Sequence, residues 1–83
     1  MGRPANRDPK RRRARQLTGN VRAALHHYRD ERDGWRSTPR DIEQAARDLW
    51  RALDRANEAR KATGMTMLTG PSDMPARPVV SRG

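Results

Sequence analysis

Cysteine and phenylalanine are absent from this 83-residue chain, and its aromatic side chains amount to two Trp and one Tyr. The lack of cysteine excludes a disulfide framework and any cysteine-based zinc site, two staples that hold many chains of this size together. Only 33% of the residues are hydrophobic, so one small core is the most that the chain can bury. No apolar run approaches the length of a membrane span, and the opening MGRPANRDPKRRR lacks a charged-then-apolar signal pattern. Together these absences predict a small cytoplasmic protein, free or associated with a nucleoid or a virion, with no membrane partner.

The residue patterns that chemistry demands are missing as well. No nucleophile with its base, Gly-rich phosphate loop or ligand cluster stands at a recognisable spacing, so neither catalysis nor a metal or other cofactor is expected. His26 and His27 are adjacent and would point about 100° apart on a helix, which prevents them from sharing one metal ion.

Positive charge is what the chain has in excess, with a formal net charge of +9. Residues 1–16 contain seven basic groups and one acidic, whereas residues 17–63 are close to balanced. A basic arm is therefore joined to a nearly neutral body, a distribution suited to a segment laid on a polyanion. Within the arm, Lys10, Arg11, Arg12, Arg13 and Arg15 form the run KRRRAR, with Arg3 and Arg7 upstream.

Hydrophobic periodicity divides the body into two helices. Ala14, Leu17, Val21, Ala24, Leu25 and Tyr28 recur at steps of three and four, predicting a helix over about 9–32 that Asp8 caps and Pro9 opens. Thr18, Gly19 and Asn20 are its weak point, since Gly alone costs roughly 1 kcal/mol against Ala. Asp33 and Gly34 end it, with Gly34 expected in the left-handed conformation and Trp35 expected to plug the corner. Thr38, Pro39 and Asp41 carry the signature of a second helix start.

That second helix, about 39–63, gathers Ile42, Ala45, Ala46, Leu49, Trp50, Ala52, Leu53, Ala56 and Ala59 on one wide side. Its other face is charged, and Arg40, Arg47, Arg51 and Arg55 are interleaved there with Glu43, Asp54 and Glu58, as on an ordinary solvated surface. After Gly64 the periodicity stops, and Pro71, Pro75 and Pro78 predict a disordered tail. Met65, Met67 and Leu68 offer the alternative of folding back on the helices, and Pro78–Val80 that of lying extended on a partner.

The expected architecture is thus all-α: an antiparallel two-helix hairpin (17–63), a flexible and partly helical basic arm (1–16) and a Pro- and Gly-containing tail (64–83). An apolar face about 180° wide cannot be hidden by a neighbouring stripe about 100° wide. Dimerisation in the manner of a coiled coil or four-helix bundle, or docking on a larger protein assembly, is expected to cover the surplus, with Ile42, Leu49, Trp50 and Leu53 at the interface. Two functions follow from this. The first is non-enzymatic binding of nucleic acid, DNA or RNA, in which Arg3, Arg7, Lys10, Arg11, Arg12, Arg13 and Arg15 hold the phosphate backbone. The second is a structural or regulatory protein–protein interaction subunit, such as a virion component or a host-directed viral factor, that docks by its apolar helix face.

Overall fold

The computed structural model describes residues 9–77. Two helices, α1 (Pro9–Asp33) and α2 (Pro39–Ala62), pack side by side as an antiparallel hairpin, and no strand occurs among the described residues. Asp8, Arg3, Arg7 and Pro78–Val80, named above for their expected roles, lie outside them.

Both helices form where the pattern places them. Thr38 accepts a hydrogen bond from the Asp41 amide at 3.1 Å, and the Asp41 carboxylate accepts one from the Thr38 amide at 3.2 Å. This reciprocal cap, followed by Pro39 at the first position, satisfies donors that the first turn would otherwise leave open. At the other end Gly64 takes a φ of +74°, and the Gly64 and Met65 amides donate to the carbonyls of Lys61 and Arg60. That geometry turns the chain sharply back along the hairpin. Gly19 leaves α1 unbroken, with open space where a side chain would stand.

Small residues mark the close approach of the helices. Ala14, Ala45 and Ala56 are almost wholly buried, and around Leu49 the core gathers Tyr28, Ala45 and Ala46 with Val21, Ala24, Leu25, Ile42 and Met74 packed against it. Leu17 and Asn20 of α1 face Ala52 and Arg55 of α2 across a shallow groove, and the Arg60 guanidinium reaches Thr18 at 3.1 Å. These pairings fix the antiparallel register. The basic run from Lys10 to Arg15 opens α1, as the expected helix over about 9–32 places it.

Met74 belongs to the tail, and its place in the core changes the packing. The sequence predicts a disordered tail. Residues 65–77 do lack helix and strand, but they run back over the cleft between the helices, the alternative raised by Met65, Met67 and Leu68. Leu68 and Met74 line the cleft together with Val21, Leu25, Leu49 and Leu53, while Met67 stays exposed. Leu49 and Leu53 are 0% and 5% exposed within a single chain, and Ile42 and Trp50 are half-buried. The surplus apolar surface that pointed to a partner is therefore covered largely from within. Periodicity could not show this, because the covering segment has no period.

The corner also departs from expectation. Trp35 is 85% exposed, with the Arg36 guanidinium 4.7 Å over its ring, and Tyr28 fills the end of the core instead. Five residues before the helix end, Tyr28 points inward on the helical period, whereas Trp35 lies two residues past Asp33, the last helical residue, and inherits no direction from it. Gly34 does not adopt the left-handed conformation; a side chain there would stand 2.9 Å from the Asp30 carbonyl, so glycine serves close approach at this position.

Candidate nucleic-acid interface

At the free end of the hairpin the first turns of α1 lie beside the last turns of α2. Lys10, Arg11, Arg12, Arg13 and Arg15 are all exposed, while Ala14 in their midst is 0% exposed and anchors the helix to its neighbour. At about 100° per residue the five cations radiate over most of the circumference, leaving the side of Ala14 to the core. No acidic residue occupies the first turn of α1. Cations at a helix N-terminus stand against the macrodipole, typically by about 0.3–1 kcal/mol each when exposed. A polyanion would relieve both that cost and their mutual repulsion.

Other basic groups play structural parts. Arg60 donates to the Thr66 carbonyl at 2.6 Å as well as to Thr18, joining α1, α2 and the tail at one point. Arg47 pairs with Glu43, four residues earlier, at 3.5 Å on the outer face of α2. Arg51 and Arg55 line the shallow groove with Leu17, Asn20, Asp48 and Ala52.

Among the described residues four further polar connections attach the tail, and none is visible as a motif. The Asn57 amide bonds both ways to Leu68, donating to its carbonyl at 3.0 Å and accepting from its amide. The Trp50 indole donates to the Pro75 carbonyl at 3.1 Å, and Arg77 lies 4.2 Å over the same ring while pairing with Asp54 at 2.8 Å. Near the corner, Arg29 grips both oxygens of Asp73 at 2.9 Å and Arg32 adds a third bond at 3.1 Å.

The ionisations follow from this geometry. Hydrogen bonds from Arg29, against the cost of desolvation and with help from Arg32, hold the Asp73 carboxyl far below the usual range, and Arg29 is raised in turn. Asp54 is lowered by its bond to Arg77, and Asp33 by its bond to Arg32, which is itself raised by Asp33 and Asp73. Among the described residues no three His, Asp or Glu side chains come together as a metal site, and no helix is long and apolar enough to cross a membrane.

Because Asp73 is more acidic folded than unfolded, its contribution is complete above the ordinary aspartate pKa of about 3.9 and is lost as pH falls below it. In Trp35→Phe, Trp50 is the only indole left and reports on the tail. Its emission is expected to shift to the red below about pH 4, while far-ultraviolet circular dichroism keeps the helical signal to lower pH. A Trp50 spectrum unchanged until the helices themselves melt would show that the tail does not depend on these carboxylates.

Compared with known proteins, the chain matches no family model, no curated protein and no solved structure. The class defined by its own geometry is a two-helix hairpin strapped by its tail, with a cationic helix end.

Proposed function

We propose that this is a small non-enzymatic nucleic-acid-binding protein that holds the phosphate backbone, with little sequence selectivity, through the basic opening of α1. The observation that carries the proposal is the exposure of Lys10, Arg11, Arg12, Arg13 and Arg15 around a helix end that the buried Ala14 fixes in place. Arg3 and Arg7 precede them in the sequence and add to the same charge. Cations spread around a helix suit phosphates approaching from more than one side better than the edges of bases in a single groove. The alternative, a subunit that docks by its apolar face, loses its main support where the tail covers Leu49 and Leu53. A second copy at Ile42 and Trp50 remains compatible with either function.

A labelled duplex oligonucleotide and a single-stranded RNA, titrated by fluorescence anisotropy over a range of salt, test the proposal. Contacts from six or seven of these cations predict a slope of log affinity against log salt of roughly −5 to −6 on duplex DNA. Reversing Arg11, Arg12, Arg13 and Arg15 to Glu is expected to abolish binding. Acidic residues in the first turn favour a helix, and circular dichroism of the variant separates loss of binding from loss of fold. Unchanged binding by this variant, or no binding by the wild type at low salt, would remove the proposal.

A further inference from the structure

Counted along the chain, residues 17–36 are nearly neutral. Their charges are nevertheless sorted in space. At 100° per residue, Arg11, Arg15, Arg22, Arg29 and Arg32 fall within an arc of about 100° on α1, on the side where the tail lies. Arg22 lines the cleft with Leu68 and Pro71, and Arg29 and Arg32 hold Asp73, which places the ridge on that side independently of the projection. At 1.5 Å per residue it is about 32 Å long. Asp30 and Glu31 project elsewhere, and Asp33, paired with Arg32, is the acid of α1 at the ridge's end. Arg15 and Arg22 have no carboxylate partner among the described residues.

The far end of the ridge carries a bound anion supplied by the chain itself. Three guanidinium nitrogen atoms of Arg29 and Arg32 converge on the two oxygens of Asp73, a forked arrangement that suits phosphate as well as carboxylate. Asp73 comes from a segment with neither helix nor strand, so its departure need not unwind the hairpin.

We propose that the phosphate-binding surface continues from the basic helix end along α1 through Arg15, Arg22, Arg29 and Arg32, and that Asp73 occupies its far end in place of a nucleic-acid phosphate. This rests on the nucleic-acid reading above and adds to it a longer track and an internal competitor. The tail then restrains binding: an incoming backbone takes Arg29 and Arg32 only by displacing Asp73.

The full chain is compared with its Asp73→Asn and Arg22→Ala variants by the same anisotropy titration, using a duplex long enough to span the ridge. Asp73→Asn is expected to bind about threefold or more tightly at fixed salt, with a salt slope steeper by about 1 to 2 as Arg29 and Arg32 join the contacts. Arg22→Ala is expected to weaken binding and to flatten the slope by about 1. Arg22 is exposed, so its removal leaves the fold intact, and circular dichroism verifies this for both variants. If both variants bind as the wild type does while charge reversal at Arg11–Arg15 abolishes binding, the track ends at the arm and this inference falls alone. If the wild type fails to bind at low salt, the nucleic-acid reading falls and takes the inference with it.

Discussion

Leu49→Asp is expected to leave the chain unfolded at room temperature. Among the described residues Leu49 is the largest side chain that is wholly buried, and it stands where Tyr28, Ala45, Ala46 and the tail's Met74 converge. Truncating a buried leucine costs about 2–5 kcal/mol through lost transfer energy and the cavity left behind. A carboxylate at that site adds a further penalty, because it must either ionise without a partner or take up a proton. The whole stability of a domain of this size is about 4–12 kcal/mol at the usual 0.05–0.15 kcal/mol per residue, so the change is comparable with everything that holds the chain together. Two controls isolate the cause. Leu49→Met preserves volume and should cost less than about 1.5 kcal/mol. Trp35→Ala removes a larger apolar side chain from a position 85% exposed and should leave the melting temperature almost unchanged. A helical Leu49→Asp protein with a cooperative melt would show that the core lies elsewhere.

How far the sequence disclosed this fold depends on the range of the interaction concerned. The α2 start was legible because Thr38, Pro39 and Asp41 act on one another within a single turn. The apolar faces were legible because 3.6-residue periodicity repeats from Ala14 to Tyr28 and again from Ile42 to Ala59. The tail escaped, since Asn57 with Leu68, Trp50 with Pro75 and Arg29 with Asp73 are single long-range pairings of residues that look solvated in sequence. Three prolines in the tail excluded a helix but not an ordered path, because packed irregular backbone leaves no period. Trp35 misled for a related reason: bulk and apolarity at a corner do not fix direction when helical phase has ended.

The same contrast holds for the candidate site. KRRRAR stood out because its charges are consecutive. Arg22, Arg29 and Arg32 did not, because counting by segment adds Asp30, Glu31 and Asp33 to the sum without regard to the face each occupies. Where a helix carries both signs of charge, the angular distribution decides what a partner meets, and net charge averages it away.

Ending the chain at Gly64 is expected to produce the other large effect. The tail supplies Leu68 and Met74 to the cleft over Leu49 and Leu53, and brings Asp73 and Arg77 into ion pairs on either side. Fully burying a Leu or Met side chain is worth about 1.5–3 kcal/mol each. Both are partly buried here, and the covered leucines lose their seal as well, so removal should cost about 2–4 kcal/mol before any polar contribution. The shortened chain then has two outcomes open to it, both measurable by sedimentation and thermal melting. In dilute solution it melts at a much lower temperature than the full chain. At higher concentration it associates, because the uncovered row of Leu49, Trp50 and Leu53 is the apolar surface on which two hairpins can close. Association confined to the shortened chain would make the tail an intramolecular substitute for a second copy, and raising its concentration should then raise its melting temperature by mass action. A truncated chain that stays monomeric at all concentrations and melts where the full chain does would mean that the two helices suffice and that the strap contributes no stability.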